Sequence, residues 1–312
     1  MQRRDALKAV VAIAAADVIS AQSEAAASTA QPPRQAKSPA TRHYIEARDG
    51  THLYWREWGR GPSILFLTSA ALPVEMWTYQ MTAFADAGFR CLTFDRRGHG
   101  RSDVPAHGYD YDTLADDLDS VIEALDLHDL TLVSHSMAGG EIVRYLTRHG
   151  GRRIARTVML APTTPFFLKT QDNPHGVPEE AFEALRAGWR KDYPRWVAEN
   201  TDAFFTPETS PAMKAWMVSL ITQITVPVAI ACNQAVTTTD FRTEMQAIRT
   251  PTLIIHGDKD ASAPLALTGQ PSAALIPGCE LKVYAGAPHG LMYTHSDRLH
   301  ADMLGFIRRA HS

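Results

Sequence analysis

Short apolar runs recur along this chain near Ile64, Cys91, Leu132, Val158, Ile254 and Val283, and each reads as a strand. Between them lie stretches with helical spacing, among them Thr113 to Leu125, Gly139 to His149 and Arg298 to Arg309. Two further strands, Tyr44 to Ala47 and Leu53 to Trp58, form an antiparallel opening. Strands and helices that alternate in this way call for an α/β fold with a doubly wound, mostly parallel sheet, here of eight strands. The rhythm breaks between about Pro165 and Asp240, where aromatics and Met accumulate and no strand pair is recognisable. That interval, about 165–240, reads as a helical cap over the carboxyl edge of the sheet. Its aromatic and apolar residues Phe166, Phe167, Trp189, Trp216 and Met217, with Leu291 from a later loop, are the candidate walls of a substrate pocket.

Three strand ends carry the candidate chemistry. The run Thr131-Leu-Val-Ser-His stops at Ser136, enclosed by the small residues Ser134 and Ala138. A strand-turn-helix corner that lifts a hydroxyl into a cleft needs small flanks, because the backbone is strained there and its neighbours nearly touch. The same serines would also serve simply to close a strand and cap a helix. Downstream, Pro251-Thr-Leu-Ile-Ile-His-Gly runs into a turn with Asp258 and Asp260, and Leu281-Lys-Val-Tyr runs into a loop with His289. A serine hydroxyl needs a base within hydrogen-bond reach, and the base needs a carboxylate to fix its tautomer. We therefore assign Ser136 as nucleophile, His289 as base and Asp260 as acid. Taken singly, His289 reads equally as a loop histidine and Asp260 as a turn former; the order Ser, Asp, His at three strand ends favours catalysis.

Phe94-Asp-Arg-Arg-Gly-His-Gly-Arg-Ser102, Gly108-Tyr-Asp-Tyr-Asp-Thr-Leu-Ala-Asp-Asp-Leu118, Gly139-Gly-Glu-Ile-Val-Arg-Tyr145 and Gly286-Ala-Pro-His-Gly290 resemble the α/β-hydrolase superfamily. More narrowly, they resemble its cofactor-free bacterial branch of esterases and perhydrolases, the non-haem chloroperoxidase-like proteins, from roughly His43 to Ile307. The resemblance implies Asp260 rather than Asp258 as the acid, and Asp95 as organiser of its own loop. The alternative acid position falls at Ala161-Pro-Thr-Thr164, which holds no carboxylate. The family's His-Gly-x after the third strand is replaced here by Thr68-Ser69-Ala70. By position, the N–H groups of Ala70 and Met137 are then the oxyanion donors. His99, His135 and His256, within the same motifs, read as packing or loop residues.

The front of the chain follows other rules. Arg3 and Arg4 precede the short apolar segment Ala9 to Ala16 and an Ala/Ser-rich stretch, so residues 1–30 read as a twin-arginine-type signal for export to the periplasm or beyond. The apolar segment is about half of the ~20 residues a bilayer span needs, so no lasting membrane anchor is expected. Residues 31–41, with three prolines, read as a disordered leader, and 42–312 as one hydrolase domain with its cap.

The formal net charge of −3 has no basic patch behind it, so nothing points to nucleic acid. The three cysteines are too scattered for a disulfide or a metal cluster, and neither metal nor cofactor is expected. The expected activity is hydrolysis of apolar or aromatic carboxylic esters through an acyl-enzyme. Cofactor-free perhydrolysis with haloperoxidase activity, or cleavage of lactones, amides or C–C bonds, are alternatives on the same machinery. A non-catalytic ligand-binding protein on a hydrolase scaffold is the alternative of another class. Haloalkane dehalogenation is set aside, because it needs a carboxylate where the chain has Ser136.

Overall fold

The computed structural model describes residues 43–309; the expected signal and leader lie outside them. Its strands are β1 (Tyr44–Glu46), β2 (His52–Gly59), β3 (Ser63–Leu67), β4 (Arg90–Phe94), β5 (Leu130–His135), β6 (Ile154–Leu160), β7 (Thr252–Gly257) and β8 (Glu280–Tyr284). They form one eight-stranded sheet in the order β1-β2-β4-β3-β5-β6-β7-β8. β2 pairs antiparallel with both β1 and β4, and every other pairing is parallel.

β5 and β7 are buried along their whole length, as strands covered on both faces must be. Alternate residues feed two cores. Leu65, Leu67 and Leu132 pack with Leu114 and Leu118 of α2 (Tyr111–Ala124) and Ile142 of α3 (Ala138–Arg148). On the other face Ile64, Phe66 and Val133 pack with Phe84 of α1 (Thr78–Asp86) and Met303 of the helix Ser296–Ile307. The start of α2 lies two residues before the expected Thr113, because the Asp110 carboxylate accepts the Thr113 N–H at 3.0 Å and caps the helix there.

Between β6 and β7 the chain builds the cap from three main helices, α4 (Glu179–Asn200), α5 (Pro211–Ile221) and α6 (Val226–Thr238). α4 breaks at Asp192, two residues before Pro194, whose ring and missing N–H do not fit a helix interior. The Asp192 carboxylate then caps the second half on Arg195 N–H at 3.0 Å. α5 and α6 are bent by 93° to one another, and no single helix among the described residues is long and apolar enough to cross a membrane. Ahead of α4 the chain makes the isolated bridges Leu168↔Val177 and Thr170↔Asn173, short of a strand pair.

Candidate active site

Ser136 sits in the corner between β5 and α3 at φ 57°, a left-handed conformation that disfavours residues with a side chain. Three backbone bonds hold it there. Ser136 N–H donates to Leu160 O at 3.0 Å, and Ser136 O accepts from Gly139 N–H at 3.0 Å and Thr163 N–H at 3.3 Å. Strain sustained by its surroundings in this way marks functional corners. The flanking Ser134 and Ala138 are fully buried. Gly140, in the first turn of α3, must lack a side chain: a Cβ there would lie 2.6 Å from the Tyr111 ring and 2.7 Å from that of Phe241.

Asp260 follows β7 and His289 follows β8, and His289 Nδ1 lies 2.7 Å from Asp260 Oδ2. The other carboxylate oxygen accepts the N–H groups of Ser262 (2.9 Å) and Ala263 (2.7 Å). Burial opposes the charge on Asp260. The neighbouring His289, hydrogen bonds from His256 and His289 and the Ala263 N–H outweigh it and hold the carboxyl well below its ordinary range. Asp258 instead accepts the Gly286 N–H at 2.7 Å in an exposed turn.

The three histidines expected to be packing residues are all hydrogen-bonded into this region. His256 Nε2 lies 2.7 Å from Ala263 O and 3.2 Å from Asp260 Oδ2. His135, the residue before Ser136, donates through Nε2 to His289 O at 2.9 Å, and the two rings are 4.5 Å apart. His289 is thereby packed against the residue before Ser136, and no hydrogen bond from Ser136 Oγ to the histidine is formed among the described residues. Such contacts are commonly long in free enzymes and tighten on substrate. His99 Nδ1 donates to Arg97 O at 2.9 Å, and its Nε2 accepts the Ala71 N–H at 3.1 Å. Burial, and then the charge of Arg96, push His99 down to about 3, which keeps it neutral and able to accept. The hydrogen-bond role of each was hidden in the sequence, since a buried histidine in a motif shows nothing of its partners.

After β3 the chain turns through Thr68, Ser69, Ala70 and Ala71, the last at φ 60°. The N–H groups of Ala70 and Met137 have no acceptor among the described residues. Asp95 anchors the far end of this loop by accepting from Val74 N–H at 2.7 Å, and from Arg101 N–H at 2.9 Å on its own loop. Burial raises its carboxyl to about 6 against those two bonds.

Ala70, Ala71, Ser136, Met137 and Thr163 form one side of a cavity of about 110 Å³. The cap closes it with Trp189 and Tyr193 of α4 and with Ala229, Cys232, Asn233 and Val236, one stripe of α6. No charged side chain lines it. Of the six residues expected as pocket walls, Trp189 alone is among them. Phe166 lies under the Arg242 guanidinium at 5.2 Å, and Phe167 packs edge-on against Phe182. Trp216 packs edge-on against Tyr79 and Tyr293, while Met217 and Leu291 are fully buried core. Large apolar groups found partners in the cap and body, and the smaller residues of α6 were left to surround the space. Among the described residues no group of three or more His, Cys, Asp or Glu is arranged to hold a metal ion.

A strained serine at a strand-helix corner, with an Asp-His pair from two later strand ends of a mostly parallel sheet, defines a class as well as a site. The α/β hydrolase fold family matches residues 62–296, and the chain belongs to it. It is 37% identical over 270 residues to a non-heme chloroperoxidase of Kitasatospora aureofaciens, covering 84% of this chain and 98% of that one. A bifunctional esterase/perhydrolase of Acinetobacter calcoaceticus is 31% identical over 277 residues, 85% of this chain and 99% of its own. Among solved structures, a bromoperoxidase from Bacillus anthracis superposes with a TM-score of 0.82 at 31% identity, covering 85% of this chain and 99% of that one. The chain is an enzyme of the α/β-hydrolase class, in the branch that contains esterases and non-haem haloperoxidases.

Proposed function

We propose that the protein is a serine hydrolase that cleaves uncharged carboxylic esters through an acyl-enzyme. The observation that carries this reading is the 2.7 Å contact of His289 with an ionised, buried Asp260, at the same sheet edge as a serine strained into a cavity without charged walls. His289 takes the Ser136 proton, and the alkoxide attacks the ester carbonyl. The N–H groups of Ala70 and Met137 hold the tetrahedral oxyanion, and His289 protonates the leaving alcohol. Water activated by the same histidine then releases the acid. The reading is tested by turnover of p-nitrophenyl esters of increasing acyl length: the native enzyme should release p-nitrophenol and Ser136→Ala should not.

A second reading is favoured by relatives named chloroperoxidase and esterase/perhydrolase. In it, hydrogen peroxide replaces water at the acyl-enzyme and a peracid leaves. Running the same ester panel with and without peroxide separates the two, since peracid appears only if peroxide is the acceptor. We further propose that residues 1–30 direct export, on the strength of Arg3 and Arg4 ahead of the short apolar segment Ala9 to Ala16.

A further inference from the structure

Arg96 follows β4 and is 2% exposed, and all three of its guanidinium nitrogens are engaged with groups around the site. Its Nη2 donates to Thr68 O at 2.7 Å and its Nη1 to Ser69 O at 3.1 Å. Its Nε donates to Glu141 Oε1 at 2.7 Å, and Nη2 also contacts that oxygen. Glu141 is 1% exposed and lies in the first turn of α3, the helix that begins just past Ser136. One buried cation therefore joins the loop after β3 to the helix that follows the nucleophile.

The Ser69 carbonyl and the Ala70 N–H belong to one peptide unit. A trans peptide is planar, with its C=O and N–H pointing in opposite directions, so an oxygen fixed on Arg96 turns the N–H away from it. A charge-assisted bond to the oxygen also polarises the amide and makes its N–H a stronger donor. The next peptide is tied from its other end, by Ala71 N–H on His99. The Ser136–Met137 peptide obeys the same rule, its carbonyl being held by the N–H groups of Gly139 and Thr163. The two peptides differ in their anchor: main-chain amides hold one, and a buried cation holds the other.

We propose that Arg96 is a positioning residue for ester cleavage, acting through the Ser69 carbonyl to orient and polarise the Ala70 N–H. Glu141 ties it to α3 and so keeps the Ala70 and Met137 donors in register. The inference rests on the reading of those two N–H groups as the oxyanion donors.

The test compares an ester with its thionoester, whose sulfur accepts hydrogen bonds poorly, in the native enzyme, Arg96→Lys and Arg96→Met/Glu141→Gln. The double variant removes the cation without leaving a buried carboxylate unpaired. The single one keeps the charge but lacks the planar fork that reaches two carbonyls and a carboxylate. For the folded double variant, kcat/KM on the oxygen ester should fall about 10- to 100-fold, mainly in kcat. That is short of the ~10²–10³ lost with a whole donor. The oxygen-to-sulfur rate ratio should shrink by about 10-fold, and affinity for a trifluoromethyl ketone should fall in step with kcat/KM. Arg96→Lys should show a smaller change of the same sign. A purely structural role lowers Tm and leaves the ratio and the inhibitor affinity alone; that result in either folded variant overturns the proposal. If Ser136→Ala still turns over esters, the ester-hydrolase reading itself fails. If Ser136→Ala is inactive and the Arg96 variants keep the native ratio, only this inference fails.

Discussion

Ser136, His289 and Asp260 work as one unit in the proposed reaction, so their removals should not add. Ser136→Ala and His289→Ala should each lower kcat by more than about 10³-fold, Asp260→Asn on the order of 10⁴-fold, and the triple variant little further. Steady-state rates on one ester check this; a crippled Asp258→Asn beside an active Asp260→Asn would move the acid. His99 carries a separate prediction about pH. Its folded-state value, about 3, lies below the ordinary 6.5, so the unfolded chain takes up this proton first. The neutral ring therefore contributes stability above pH 6.5 that is lost as pH falls towards 3. His99→Gln has no such proton to take up. The native advantage over it should shrink by about 1.4 kcal/mol per pH unit below ~6.5. Urea unfolding of both proteins at pH 7, 6, 5 and 4 reads this directly, and a constant difference would mean that His99 titrates freely in the fold.

At the scale of elements, β7 and the loop that carries His289 touch where only glycine fits. A Cβ on Gly257 would lie 2.0 Å from Ala287 O, which also accepts the Lys259 N–H at 3.1 Å. Gly257→Ala should displace the loop and lower kcat by at least about 10-fold, beyond the ~1–3 kcal/mol of overpacking read as a drop in Tm. In the proposed reaction the α6 stripe would limit acyl size: Ala229→Phe should slow butyryl and longer p-nitrophenyl esters more than the acetyl ester, measured as kcat/KM across the series. Strands and site loops were legible in sequence because each is a short apolar run that ends on a polar turn, as at Ile254 ahead of Asp260. The pocket was not. Trp216 and Met217 look like walls by composition, but the same hydrophobicity serves a core, and Cys232 and Asn233 carry no signal of facing a cavity. The neutral, accepting His99 was equally hidden, since its partner Ala71 lies 28 residues away in sequence.

For the whole molecule, the doubly wound sheet brings the ends of β3, β5, β6, β7 and β8 to one edge, and residues from the loops after β3, β5 and β6 share one small cavity with the cap. The proposed export signal predicts that replacing Arg3 and Arg4 together with Lys strands folded, active enzyme in the cytoplasm, because the recognised group changes while the charge does not. Fractionation with an esterase assay reads it: undiminished export would point to the general secretory route, and native chain found uncleaved in the cytoplasm would sink the export reading. If Ser136 is the nucleophile of an acyl-enzyme, a fluorophosphonate should label it covalently, and peptide mass spectrometry locates the adduct. One adduct per chain, on Ser136, formed much more slowly in His289→Ala and lost in Ser136→Ala, is the predicted result. Stoichiometric labelling that persists in Ser136→Ala, or an adduct on another residue that abolishes turnover, would contradict it.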